Sequence, residues 1–271
     1  MNLILFRFKI IICSIMVLVH ILMALLLTVA TQIGGLLYLL TILVFRKTKW
    51  WKILLGFFAL YGAVTFLIIP ILAPSFGREK VNAEVLNGGY ILANRNYVTP
   101  EMNEALKSIE KRLQAHYPEL KLVVLDANFP FFDGFPLLPH LSHDDGRKID
   151  LAFVYEEPNG HLTNQKVSRS GYGVYADPEE GELNQADLCI SKGSWQYGIT
   201  DYFSLGEINS DLRFSEGANR KLLEAIVTDE RIGKVFVEPH LKERLGVVSD
   251  KIRFQGCHSV RHDDHFHIQL R

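Results

Sequence analysis

From Ile10 to Phe45 the chain runs for 36 residues without a single Asp, Glu, Lys or Arg. A buried helix of a soluble domain does not need so long an uncharged stretch, and the environment it implies is lipid. As one straight helix it would be about 54 Å long, at ~1.5 Å per residue, against a hydrocarbon core of about 30 Å. Tilting does not absorb that excess. Thr31, Gln32, Gly34 and Gly35 lie near the middle and are the natural place for a tight hairpin between two spans, the second of them short. Ile53 to Leu72 then forms a further span of ordinary length, closed by Pro74.

Charge divides the chain in the same place. Residues 1–74 contain six basic residues (Arg7, Lys9, Arg46, Lys47, Lys49, Lys52) and no acidic one, whereas the remainder holds 23 basic against 30 acidic. The near-neutral total is therefore the average of a basic apolar segment and an acidic outer one, an asymmetry that points to a membrane. It argues against nucleic acid as a partner. Cytoplasmic loops are enriched in Lys and Arg, so Arg46-Lys47-Thr48-Lys49-Trp50-Trp51-Lys52 is expected to face the cytoplasm. Three spans, about 10–28, 30–45 and 53–72, put Arg7 and Lys9 on that side as well and deliver everything after residue 75 to the outer face. A cleaved signal peptide would need an apolar region of only about 7–15 residues. The expected division is a transmembrane region over 1–75, a short polar tether over 76–83, and one outer domain over 84–271.

Within the outer domain Thr99-Pro100 reads as an N-cap followed by proline in the first helical turn. Met102, Ala105, Leu106, Ile109 and Leu113 recur behind it at helical spacing, and the helix should end near Pro118. Leu120 to Leu125 and Ile149 to Tyr155 read as strands, separated by a loop dense in Phe and Pro. A second helix is expected over Glu216 to Glu230, with Gly233 beyond its end. A strand follows over Lys234 to Val237, then a short helix from Pro239 to Gly246, and a last strand from His265 to Leu270. The expected class is α+β: a small, mostly antiparallel sheet flanked by helices and preceded by the transmembrane helices.

Six of the ten histidines fall in two short windows. The first holds His140 and His143 and runs into Ser142-His143-Asp144-Asp145-Gly146-Arg147-Lys148-Ile149-Asp150, and the second holds His258 and then His262-Asp263-Asp264-His265-Phe266-His267. Successive side chains on a strand point to opposite faces, so His265 and His267 share one face while Phe266 and Ile268 can enter the core. In the first window Gly146 lets the chain turn after His143, and Asp150 arrives on the following strand. A catalytic zinc takes three N or O ligands and keeps a fourth position for water; His143, Asp150 and His267 would supply that set. His20, His116, His161 and His240 lack such company and read as structural or solvent-exposed. Trp195 and Tyr197 read as core, and the acidic run from Asp177 to Asp187 as a solvated face. Cys189 and Cys257 lie in the outer part, where an oxidising compartment permits them to pair; a disulfide or a packed thiol is preferred to zinc ligation by Cys257.

On His140-x-x-His143-x-x-Gly146-x-x-x-Asp150 and His262-x-x-His265-x-His267 the chain resembles the metallopeptidase superfamily of lysostaphin and the D-Ala-D-Ala peptidases, especially the penicillin-insensitive murein endopeptidases. The resemblance implies Zn2+ as cofactor, held by His143, Asp150 and His267, with His265 orienting the attacking water and His262 and His140 at positions where the endopeptidases also carry histidine. Two departures stand out. Lys148 occupies a position that is often Asp or Ala in these families, and Asp264 stands where the D-Ala-D-Ala carboxypeptidases place a Glu base. As base or water-orienting group, His265 ranks first, His262 second and Asp264 third.

The resemblance further implies that the substrate is the peptide part of peptidoglycan, cleaved at cross-links by a zinc endopeptidase on the outer face of the cytoplasmic membrane. A D-Ala-D-Ala carboxypeptidase or dipeptidase, and a noncatalytic zinc-held wall-binding module, are the alternatives.

Overall fold

The computed structural model describes residues 3–138, 141–199, 202 and 204–271. It opens with three apolar helices: α1 (Leu3–Thr31), α2 (Gly34–Phe45) and α3 (Trp50–Ala63). The turn between α1 and α2 falls where the Thr/Gln/Gly cluster predicts it. Gln32 adopts φ 67°, and the Thr31 hydroxyl accepts from the Gly34 N–H at 2.8 Å, capping the second helix. Gly34 and Gly35 let the two helices approach closely, because a Cβ on Gly35 would strike the Ala24 carbonyl and the Thr28 hydroxyl.

After α3 the helix loosens into a π turn at Val64–Ile68, re-forms as α4 (Ile69–Leu72) and ends in a 3-10 turn at Ala73–Phe76. Pro70 explains the irregularity, since it has no N–H to give to the preceding turn and its ring crowds the backbone there. Two stretches, Ile10–Thr31 and Trp50–Phe76, are long and apolar enough to cross a membrane, and only 6% and 17% of their most apolar windows are buried. α2, with 12 residues, is about 18 Å long, shorter than a hydrocarbon core of about 30 Å.

The segment read as a tether is fastened down. β1 (Glu79–Lys80) pairs with a later strand, Arg78 is buried, and the Asn82 N–H donates to Asn103 Oδ1. Thereafter the chain forms β2 (Glu84–Val85), α5 (Gly88–Leu92), β3 (Tyr97–Val98), α6 (Pro100–Gln114), β4 (Val123–Asp126), β5 (Lys148–Ala152), β6 (Tyr155–Glu156) and β7 (Leu162–Thr163). It continues through α7 (Gln185–Ser191), α8 (Gln196–Ile199), β8 (Arg213–Phe214), α9 (Glu216–Thr228), β9 (Ile232–Phe236), α10 (Pro239–Leu245), β10 (Ile252–Arg253) and β11 (His265–Leu270).

The main sheet has six strands in the order β10-β9-β11-β5-β4-β2. Its centre is antiparallel, as expected, but both edges are parallel pairs, β10 with β9 and β2 with β4. Gly233 lies inside β9 rather than capping α9, which ends at an extended Asp229. The Thr99 cap and the Gly146 and Gly246 turns occur where the sequence places them.

The helices α6, α9 and α10 pack on one face of the sheet. Met102, Leu106 and Ile109 of α6 and Leu222, Leu223 and Ile226 of α9 share one core with Ile149, Leu151, Phe266 and Ile268. Each large apolar side chain withdrawn from water there contributes roughly 1.5–3 kcal/mol, which fixes which way β5 and β11 face. Asn219, fully buried, clamps α9 to the end of β5 by accepting from the Val154 N–H and donating to the Val154 carbonyl.

The apolar helices and the α+β domain that follows them are joined by buried polar contacts. The Gln32 amide accepts from the Phe131 N–H at 3.1 Å and donates to the Phe132 carbonyl at 3.4 Å. Asn94 Nδ2 donates to the Thr31 carbonyl and to the Tyr61 hydroxyl, each at 3.2 Å. Phe131 and Phe132, from the Phe/Pro loop, pack edge-on against Phe76 at the end of the third apolar stretch. That loop therefore leans on the helices.

Cys189 and Cys257 form a disulfide that closes a sequence separation of 68 residues. Replacing both by serine should lower the unfolding free energy by about 2–4 kcal/mol, chiefly by freeing the unfolded chain. Thermal unfolding with and without reductant checks this: the wild type plus reductant should melt with the double mutant. An unchanged melting temperature in both comparisons would mean that the bridge does not form.

Candidate metal centre

The face of the sheet opposite the helices carries the two histidine windows. β11 pairs antiparallel with β5 so that His265 lies across from Ala152 and His267 directly across from Asp150. Because Phe266, Ile268, Ile149 and Leu151 are in the core, strand alternation turns His265, His267 and Asp150 to the other side. His143 reaches them from the preceding loop. That loop is held by Asn128, which accepts from the Gly146 N–H at 3.1 Å and donates to the Lys148 carbonyl at 2.7 Å. Gly146 has φ 75°, and a side chain there would run into the Arg78 guanidinium.

Three donor atoms converge. His143 Nε2 is 3.2 Å from His267 Nδ1 and 3.2 Å from Asp150 Oδ1, and His267 Nδ1 is 2.8 Å from Asp150 Oδ1. In a tetrahedral site with bonds of about 2.0 Å, neighbouring ligand atoms are about 3.3 Å apart. The triangle fits one small divalent ion, and all three residues are buried.

Each donor also has a partner that orients it, as metal ligands usually do. His143 Nδ1 donates to the Ala127 carbonyl at 3.0 Å, leaving the Nε2 lone pair toward the centre. Tyr172 donates its hydroxyl to Asp150 Oδ2 at 2.8 Å, leaving Oδ1 for the centre. The Gln269 amide lies 3.1 Å from His267 Nε2; with its oxygen toward the ring it accepts that N–H and leaves Nδ1 free. Burial pushes the His267 imidazole down to about 4, so it is neutral at pH 7, the form that ligates. Burial first, and the Asp150 carboxylate second, hold the Tyr172 hydroxyl protonated.

His265 is placed next to the triangle, with Nε2 3.5 Å from Asp150 Oδ1. Its Nδ1 donates to Asp264 Oδ1, and Asp264 Oδ2 accepts from the Gly173 N–H at 2.7 Å. Asp264 therefore orients an imidazole, which accounts for its identity better than the third-ranked role of base. His262 stacks its ring 5.2 Å from that of His265. His262, His265 and His267 make a second group that could hold an ion; in the set of His143, Asp150 and His267 the three donor atoms lie 2.8–3.2 Å apart. His140 lies outside the described residues. Lys148 turns away from the centre to Asp144 at 3.0 Å and Asp145 at 2.8 Å, so it ties the turn and leaves the ligands alone.

A cleft of about 290 Å³ opens on Asp150, His262, His265 and His267. Trp195, Gln196, Gln255 and His258 line it, and sequence reasoning singled out none of them as a wall. Trp195 is 72% exposed, which corrects the expectation that it is core, whereas Tyr197 is buried as expected. The only available signal was the proximity of Cys257 to His258 and of Cys189 to Trp195: the disulfide brings both segments to the same rim. Of the four histidines set aside, His240 is buried and donates its Nε2–H to the Ala176 carbonyl at 2.8 Å. Within the acidic run Asp177 and Glu182 are paired with Arg261 and Arg244.

Among known proteins the chain matches no protein-family model and no curated sequence.

Behind the cleft Glu238 is buried, and its Oε1 accepts from the His262 N–H at 3.1 Å and the Tyr197 hydroxyl at 3.3 Å. Burial first, and the nearby Asp263 second, push its carboxyl up to about 7. The fold thus favours the protonated form, and this contribution is whole below about pH 4.5, falls as pH rises, and is lost above about 7. Glu238→Gln, which cannot ionise, should gain stability over the wild type between pH 5 and pH 8, by on the order of 3 kcal/mol. Melting temperatures of both proteins at the two pH values measure it; a gap that does not widen contradicts a buried, raised carboxyl.

Proposed function

We propose that this chain is a membrane-anchored zinc peptidase that hydrolyses peptide bonds of peptidoglycan, cutting cross-links as an endopeptidase. The observation that carries the reading is the triangle of His143 Nε2, Asp150 Oδ1 and His267 Nδ1, with the oriented imidazole of His265 beside it. Two imidazoles and a carboxylate are a donor set that zinc accepts readily and that suits hydrolysis better than a closed structural site. Bound there, zinc would supply Lewis acidity toward water and toward a peptide carbonyl.

The remaining work belongs to the chain's own groups. With its Nδ1–H given to Asp264, His265 keeps the Nε2 lone pair facing the centre. An imidazole with that lone pair open can take a proton from water and return it to the leaving amine. His262 lines the same cleft and is the second residue able to hold substrate or a proton there. Trp195 offers an apolar platform, and Gln196 and Gln255 offer amides to an extended peptide backbone.

The substrate class follows the resemblance of the two histidine motifs to the murein endopeptidases. The membrane assignment follows from the two long apolar stretches and from the Lys/Arg cluster at residues 46–52, which positive-inside bias puts in the cytoplasm. The outer domain then lies on the face of the membrane that meets the cell wall.

Purified full-length protein incubated with cross-linked muropeptide dimers should release monomers, read by mass spectrometry, and a zinc chelator should abolish release. His265→Ala should retain zinc and lose about 10²–10⁴-fold in rate, whereas His267→Ala and Asp150→Asn should lose metal and rate together. Loss of a single terminal alanine instead of dimer splitting would make it a carboxypeptidase. Stoichiometric zinc with no product, or full activity of His265→Ala, would contradict the proposal.

A further inference from the structure

A second cavity, of about 640 Å³, lies where α1 meets the outer domain, and its lining does not include the His/Asp centre. One wall is purely apolar: Leu26, Val29 and Ala30, from the upper part of α1, within the stretch long enough to cross a membrane. The other wall belongs to the outer domain. None of the lining residues is acidic, and two are arginine.

Those two arginines differ. Arg95 is already neutralised, making a two-pronged ion pair with the buried Asp126. Arg169 is exposed, and among the described residues its guanidinium has neither a hydrogen bond nor an ion pair. Beside it Lys166 Nζ donates to Asn87 Oδ1 at 2.6 Å and to the Arg169 carbonyl at 2.7 Å, adding a second positive charge at the same corner. The cavity is thus cationic at one end and oily at the other.

Its rim carries a further sign. Leu205 is 69% exposed and sits at φ 56°. A leucine in the left-handed region is strained, and glycine or asparagine would stand there more cheaply. An exposed apolar side chain thus stands at a position where the backbone disfavours it. Leu138, on the same lining, is also largely exposed.

We propose that this cavity holds an anionic phospholipid of the surrounding leaflet, its phosphate on Arg169 and Lys166 and its acyl chain along Leu26, Val29 and Ala30. The size suits a headgroup and the first part of a chain, since pockets for small ligands run about 300–1,000 Å³. Anionic lipid, rather than a soluble phosphate, is the occupant because Leu26, Val29 and Ala30 give the cavity an apolar α1 wall, and Leu138 and Leu205 add exposed apolar surface, that a soluble phosphate would leave uncovered and a hydrocarbon chain covers. The inference goes beyond the peptidase reading and shares with it only the premise that the apolar helices lie in a bilayer.

The test uses the full-length protein in mild detergent, titrated with phosphatidylglycerol or phosphatidylcholine of matched chains, with bound lipid counted by native mass spectrometry. The wild type should retain phosphatidylglycerol over phosphatidylcholine, and Arg169→Gln should lose about fivefold of that retention, the usual contribution of one basic side chain at an anionic surface. Leu205→Gly relieves the backbone, so it should fold at least as well and still retain less lipid. Lys107→Gln, on α6 away from this lining, should behave as wild type, and glycerol 3-phosphate should not compete. Equal retention of the two lipids, or undiminished retention by Arg169→Gln, would overturn the inference while leaving the peptidase assay untouched. Failure of the chain to float with vesicles would remove the membrane premise and this inference together.

Discussion

The antiparallel register between β5 and β11 is the constraint on which the rest depends. It sets His267 opposite Asp150, and it does so because Ile149, Leu151, Phe266 and Ile268 are all required on the helix side. A slip of one residue would turn every one of these side chains over. The core would then receive an aspartate and two imidazoles, and buried unpaired charge costs several kcal/mol per group. Packing against α6 and α9 therefore enforces the geometry of a site on the opposite face of the sheet.

Around that register the protein spends buried polar groups freely. Asp126, Asp150 and Asp264 are all withdrawn from water, and each is met: by Arg95, by Tyr172 and His267, and by His265 with the Gly173 N–H. Arg95 connects this set outward, since it also donates to the Leu138 carbonyl and borders the cavity at α1. Asp126 is the cross-strand neighbour of Asp150 on the other side. One chain of ion pairs and sheet contacts thus runs from the cavity beside α1 to the His/Asp triangle.

Where a local signal was strong, it could be read from the sequence. The Thr99-Pro100 cap, the helix behind it, the Gly246 stop and the strand from His265 to Leu270 all stand where periodicity and capping put them. The alternation His-Phe-His-Ile also specified which residues share the site face. What escaped depended on distant partners. Two-residue strands such as β2 and β10 exist only because a neighbouring strand is there to pair, and so the parallel edges of the sheet have no local signature. Asn128 and Asn219 look like ordinary loop or helix-surface polar residues until the loop and strand they clamp are in place. The segment 76–83 resembles a tether in composition, yet β3 and Asn103 bind it. Trp195 has the composition of core but stands at the cleft because the Cys189–Cys257 bridge holds its segment to the rim.

The most direct measurement is the anomalous scattering of a crystal of the full-length protein grown with zinc. A single ion is expected within about 2.0–2.2 Å of His143 Nε2, Asp150 Oδ1 and His267 Nδ1, with His265 outside its ligand set. An ion held instead by His262, His265 and His267, or no ion near Asp150, would contradict the site on which everything functional here is built.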